Sequence, residues 1–183
     1  MASRRISLTF PSGHRCSVVI GPGALAELPS LWKSSWRQAA LIGDRNVVER
    51  FGEAVATSIS SAAEQVIVLD FAPGEEHKTR QTKSALEDLL LDEGFGREGC
   101  VIGLGGGVSL DVAGFVAATY LRGVPSLYLP TSLLAQVDAA IGGKTAVNTR
   151  HGKNLIGSFH QPDAVLIDPE LLPSLPKGEW PNG

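Results

Sequence analysis

The sequence predicts an α/β fold built on a parallel sheet with helices on both faces, and three observations carry that prediction. Short apolar runs recur at residues 16–20, 39–42, 66–71, 100–104, 126–129 and 164–167. Most are continuous rather than alternating, the pattern of strands buried on both faces. Helix-like stretches at 24–31, 47–60, 79–93 and 110–120 fall between them, and strand–helix alternation of this kind argues for parallel pairing. Glycine clusters over residues 99–107 and again at Gly142, Gly143, Gly152 and Gly157. Such clusters mark either close approach of backbone to a ligand or ordinary turns.

The elements follow in order. The run at 100–104 opens with Cys100 and reads as a buried strand. The stretch 79–93 places Ala85, Leu86, Leu89 and Leu90 at helical spacing, and Gly94 follows as a stop. Ligands of such sheets bind at the carboxyl ends of the strands. Three ends stand out: Gly43-Asp44, Pro73-Gly74-Glu75-Glu76, and residues 103–107. In a parallel sheet all three open on one edge. Residues 132–157, rich in Gly, Asn, Lys and Thr, read as a long functional loop with a short helix inside it. Residues 171–183 contain three prolines and read as a connector, so residues 1–170 are expected to form one domain.

Composition narrows the class. With 43% hydrophobic and 19% charged residues the chain is globular, not disordered. A net charge of −3 gives no electrostatic reason to expect nucleic acid as a partner. No apolar stretch is long enough to span a membrane, and the first residues are too polar for a signal peptide. Cys16 and Cys100 lie far apart without metal-like spacing, so a reduced, cytoplasmic setting is expected.

The strongest local signal is Val101-Ile102-Gly103-Leu104-Gly105-Gly106-Gly107-Val108-Ser109-Leu110-Asp111. A strand ends in glycines and a helix begins near Ser109, which aims backbone N–H groups and a positive helix end at a pyrophosphate. The spacing of Gly103 and Gly105 is Rossmann-like without being a clean match. Asp111 either caps the helix or holds a ligand hydroxyl. Asp44 has two readings of equal standing, an acceptor for ribose hydroxyls and the N-cap of the next helix. Glu75 and Lys78 either face an adenosine or form a solvated turn. A second region joins Pro130-Thr131-Ser132, Gln136-Val137-Asp138, Gly142-Gly143-Lys144-Thr145 and Gly152-Lys153-Asn154. Its two lysines beside glycines suit a phosphate or carboxylate.

Together these residues resemble the 3-dehydroquinate synthase family. The matches are Pro73-Gly74-Glu75 with Lys78-Thr79, Gly105-Gly106-Gly107-Val108 with Asp111, Gly114 and Phe115, and Arg122-Gly123. Pro130-Thr131, Leu133-Leu134, Gln136-Val137-Asp138, Gly142-Gly143-Lys144-Thr145, Gly152-Lys153-Asn154 and Phe159-His160-Gln161-Pro162 complete the series. The resemblance covers nearly the whole chain and is most specific from Gly105 to Pro162. It implies a Rossmann-like N-terminal domain that holds NAD. It also implies a helical C-terminal domain that holds a divalent metal, Zn2+ or Co2+, with ligands outside this chain. The implied reaction converts the sugar phosphate 3-deoxy-D-arabino-heptulosonate 7-phosphate to 3-dehydroquinate and phosphate in the shikimate pathway, and the full-length form is expected to be a homodimer.

Carried over residue by residue, Asp44, Glu75 and Lys78 look like adenosine-side contacts. Gly106, Gly107, Val108 and Asp111 look like the pyrophosphate and nicotinamide-ribose site, with Thr131 and Ser132 near the nicotinamide. Lys144 and Lys153 face cofactor or substrate. Arg122, Asp138, Lys144 and Asn154 are the expected substrate-handling set. Two departures are local: Leu110 replaces a small residue and is expected to crowd the turn, and Ser132 replaces a Thr. The third is the absence of the family's metal ligands, so the chain alone is expected to be inactive. His14, His77, His151 and His160 lack the pairing of a metal site. An apolar face meant for the other half is expected to be exposed. Alternatives are a related sugar-phosphate cyclase or metal-dependent polyol dehydrogenase, and a non-catalytic NAD-binding module.

Overall fold

The computed structural model describes residues 3–174. Nine strands form: β1 Arg4–Thr9, β2 Arg15–Ile20, β3 Gln38–Asp44, β4 Gln65–Phe71, β5 Gly99–Gly105, β6 Ser126–Pro130, β7 Lys144–Thr149, β8 Gly152–Phe159 and β9 Ala164–Ile167. The helices are α1 Leu28–Leu31, α2 Arg45–Ile59, α3 Arg80–Asp92 and α4 Gly107–Thr119, with 3-10 turns between them. The expected strands all form, each within two residues of its expected ends. Part of the expected connector, up to Ser174, is a 3-10 helix over Pro169–Ser174, and its remainder lies outside the described residues.

Seven strands make one sheet in the order β1-β2-β9-β6-β5-β3-β4, and β7 pairs with β8 in a separate antiparallel ribbon. Every pairing in the large sheet is parallel except β1 with β2. The central parallel strands β3, β5, β6 and β9 are buried on both faces, while β4 at the edge is partly exposed. One face carries Leu28, Val55 and Ile59 from α1 and α2 against Leu41, Ile102 and Leu129. The other carries Leu86 and Leu90 from α3 and Val112, Ala113 and Val116 from α4 against Ala40, Ile42 and Val101. Burying a Leu or Ile side chain contributes about 2 kcal/mol, so these two layers hold the sheet.

β3 and β5 are neighbours, yet α2 carries the chain from β3 outward to β4, while α4 carries it from β5 the other way to β6. Connections that diverge from adjacent strands open a crevice at their carboxyl ends. Gly43 permits the close pairing there: a Cβ on it would lie 2.5 Å from the Leu104 carbonyl oxygen. Leu110 does not crowd this crevice. It is 1% exposed and packs inward with Cys16, Tyr128 and Val165, because its helical phase turns it to the sheet.

Candidate functional site

The crevice between β3 and β5 widens into a cleft of about 1410 Å³. Its floor is the first turn of α4. Gly105 ends β5 at φ +140°, in a region few side chains adopt, and a Cβ there would meet Ser109 Oγ at 2.5 Å. Gly106 is the N-cap of α4, and no side chain caps that helix. By contrast, Asp44 Oδ1 caps α2 by accepting the Val47 N–H at 3.3 Å, and Thr79 Oγ1 caps α3 by accepting from Thr82 at 3.1 Å. The first-turn N–H groups of α4 therefore face the cleft, where the helix dipole favours an anion. A Cβ added at Gly106 would stand 3.4 Å from Ser132 Oγ, in the space between the helix end and the far wall. The bare backbone leaves room for a diphosphate.

The cap reading of Asp44 holds in the geometry, and its carboxylate keeps acceptor capacity beside that cap. Its Oδ1 caps α2 while its Oδ2 accepts from Ser109 Oγ at 3.0 Å, and Ser109 Oγ in turn accepts the Asp44 N–H at 3.1 Å. Each carboxylate oxygen has two acceptor positions, so lone pairs remain for ligand hydroxyls.

Across the cleft, Lys78 is only 4% exposed. Its ammonium hydrogen-bonds Asp111 and donates to Asn154 Oδ1 at 2.6 Å. Burial pushes the Asp111 carboxyl above its usual range, and the Lys78 hydrogen bond opposes that push. The β7–β8 hairpin forms the other wall. Thr145 Oγ1 donates to the Ser158 carbonyl at 2.9 Å, Lys144 and Lys153 are exposed at the rim, and Lys153 Nζ lies 3.7 Å from Glu75 Oε1. Thr131 is buried and its N–H donates to the Gly105 carbonyl at 2.9 Å, while Ser132 Oγ accepts the Ala135 N–H.

Thus Asp44, Glu75, Lys78, Gly106, Gly107, Val108, Asp111, Thr131, Ser132, Asp138, Lys144, Lys153 and Asn154 all line one cleft. Arg122 does not. It follows α4 at φ +71° and is exposed, at the far end of a 13-residue helix, about 20 Å from the glycines at 1.5 Å per residue. Ser109 and Asn148 were not singled out in the sequence, since each acts through partners distant in the chain. The expected loop at 132–157 is a π-helical turn over Ala135–Ala139 followed by the hairpin. Both cysteines are free and buried, and burial pushes the Cys16 thiol up to about 11. Among the described residues no helix is long and apolar enough to cross a membrane.

The family model described as 3-dehydroquinate synthase N-terminal matches residues 68–182. The chain belongs to the 3-dehydroquinate synthase family. A 3-dehydroquinate synthase of Enterococcus faecalis (strain ATCC 47077 / OG1RF) is 43% identical over 93% of this chain and 48% of its own length. The chain therefore spans about half the length of the curated synthases it matches. Among solved structures, 2-deoxy-scyllo-inosose synthase complexed with carbaglucose-6-phosphate, NAD+ and Co2+ is similar with a TM-score of 0.90. It is 28% identical over 96% of this chain and 49% of that one. ValA, a 2-epi-5-epi-valiolone synthase from Streptomyces hygroscopicus subsp. jinggangensis 5008 with NAD+ and Zn2+ bound, has a TM-score of 0.77. It is 31% identical over 96% of this chain and 48% of that one.

Two groups implied by membership of the synthase family can be tested against these side chains. The glycine floor, the uncapped α4 and Asp44 at the neighbouring strand end fit a dinucleotide. Among the described residues no three His, Cys, Asp or Glu side chains gather to hold a metal.

Proposed function

We propose that this chain is the dinucleotide-binding half of a 3-dehydroquinate synthase, a phosphate-eliminating carbon–oxygen lyase acting on 3-deoxy-D-arabino-heptulosonate 7-phosphate with NAD bound. The observation that carries the reading is the uncapped glycine N-terminus of α4 opening beside Asp44 at the β3/β5 crevice. Residues 1–170 form the NAD-binding domain, and residues 171–183 lead toward a helical metal-binding domain that holds Zn2+ or Co2+. Membership of the family and the NAD-bound neighbours support that division.

In this reading the N–H groups at Gly106, Gly107 and Val108 hold the pyrophosphate, and their dipole offsets its charge. Asp44 and Glu75 accept from the adenosine side. Lys78 holds Asp111 in place beside the nicotinamide ribose, and Thr131 and Ser132 bound the far end. NAD held there would supply a hydride acceptor for a substrate carbinol, and the carbonyl so formed would acidify the neighbouring C–H. Asp138, Lys144, Lys153 and Asn154 surround the substrate end, where the two ammonium groups suit a phosphate. Arg122 has no place in this cleft of its own chain. A paired second copy and a cytoplasmic setting belong to the same reading.

Titration calorimetry with NAD, followed by substrate and divalent metal with phosphate and NADH both monitored, tests the proposal. The chain alone is expected to bind NAD saturably and to release no phosphate, because no metal-holding group is found among the described residues. Phosphate release by the chain alone at a rate typical of such enzymes would overturn the reading of it as only half of the active site. Net NADH would favour a polyol dehydrogenase instead, and absence of NAD binding would overturn the reading.

A further inference from the structure

The β7–β8 hairpin is irregular at one place. Between the pairs Val147↔Ile156 and Thr149↔Gly152, β7 advances two residues while β8 advances four. The surplus is a bulge that sets Lys153, Asn154 and Leu155 against Asn148, and Asn154 sits at φ +57° in the left-handed region. A bulged residue loses its ladder partner. Here the Asn154 N–H donates to Asn148 Oδ1 at 3.0 Å, so a side-chain carbonyl stands in for the missing backbone one.

The other end of Asn148 reaches the opposite wall. Its Nδ2 donates to Glu75 Oε1 at 2.7 Å and to the Glu75 carbonyl at 3.3 Å, and its own N–H donates to the Lys78 carbonyl at 2.8 Å. The bulge it steadies carries Asn154, whose Oδ1 accepts from Lys78, and Lys153, whose ammonium leans toward Glu75. One amide thus spends its acceptor on the hairpin and its donor on the loop after β4. Asparagine suits both tasks. Aspartate keeps the acceptor but places a second carboxylate against Glu75, and alanine loses both.

We propose that Asn148 is a positioning residue that fixes the β8 bulge and so sets Lys153 and Asn154 in the cleft. What those two residues touch rests on the NAD-and-substrate reading above, whereas the anchoring itself does not.

The test uses the whole chain as wild type, Asn148→Ala and Asn148→Asp, with amide hydrogen exchange and NAD titration on each. In Asn148→Ala, exchange at the Asn154 amide is expected to rise at least about tenfold and NAD affinity to fall about tenfold, while β3 and β5 amides stay as protected as in the wild type. Asn148→Asp is expected to keep the Asn154 amide protected and to lose several-fold in NAD affinity. Should the alanine variant not fold, the aspartate variant decides: unchanged affinity or a deprotected Asn154 amide would overturn the proposal. Unchanged Asn154 exchange in Asn148→Ala would overturn it too, as would faster exchange shared equally by β3 and β5. Failure of the wild type to bind NAD would sink the cofactor reading, and the exchange comparison would still decide the anchoring.

Discussion

The two walls of the cleft are built on different principles. The β3/β5 wall is a consequence of the sheet: β5 is buried along its whole length, as is most of β3, and the cleft-facing groups are backbone N–H donors in the first turn of α4. The β7–β8 wall stands outside the sheet, most of β8 is exposed, and side chains hold it in place. Lys78 and Asn148 tie it to the loop after β4. The contrast teaches that the glycine cradle at the start of α4 should be as stable as the core, whereas the cleft-lining groups of the hairpin lean on polar contacts to the loop after β4.

The comparison is most easily broken at Lys78, which touches both walls. Lys78→Met leaves the partly buried Asp111 without its cation, and removing one member of a buried pair costs about 3 kcal/mol. Urea denaturation should show that loss, with deprotection of the hairpin amides. Gly105→Ala attacks the sheet-borne wall alone. The new Cβ meets Ser109 at a backbone angle few side chains adopt, so a loss of about 2 kcal/mol is expected, together with loss of NAD affinity. Gly157→Ala attacks the hairpin alone: its Cβ would lie 1.9 Å from the Thr145 carbonyl oxygen. Exchange should rise most in β7 and β8, and because the clash is with backbone in a strand packed on α4 the loss should be about 2 kcal/mol.

The smallest effect is in pH dependence. Burial lowers the pKa of His160, which follows β8 and hydrogen-bonds the Val124 carbonyl. A depressed folded value favours the neutral ring, so this stabilisation is present above the ordinary value of 6.5 and is lost as pH falls through the folded value. The Tm of the wild type should therefore drop between pH 7.5 and 5 more steeply than that of His160→Asn.

The sheet-borne wall was legible in the sequence because continuous apolar runs mark buried parallel strands and the chemistry sits at their ends. Asp44, Glu75 and Gly106 could be placed on one edge from the order of the strand ends, whereas Lys78 was tied to the site only by the family resemblance. The hairpin was not legible. Strands of Lys, Thr, Asn and Gly, joined at Arg150-His151, carry neither apolar alternation nor a usual turn pair, so the region reads as loop. β1, an exposed edge strand opening Arg4-Arg5, does carry the alternation Ile6-Ser7-Leu8-Thr9, but over only four residues beside the chain start. Ser109 and Asn148 owe their roles to Asp44 and to a bulge, which are tertiary facts. Arg122 was placed with the site by its motif, but the length of α4 carries it to the opposite end.

Phe159, 83% exposed at the end of β8, and Val137, 62% exposed in the π-helical turn, are large apolar side chains left in solvent next to the cleft-lining Ser158 and Asp138. The measurement that tests the central claim most directly is amide chemical-shift mapping of the chain titrated with NAD. Shifts concentrated at Asp44, Gly105–Val108, Lys78 and Asp111, saturating together, are the expected result. Saturable shifts elsewhere with those amides unmoved, or no shifts at all, would contradict it.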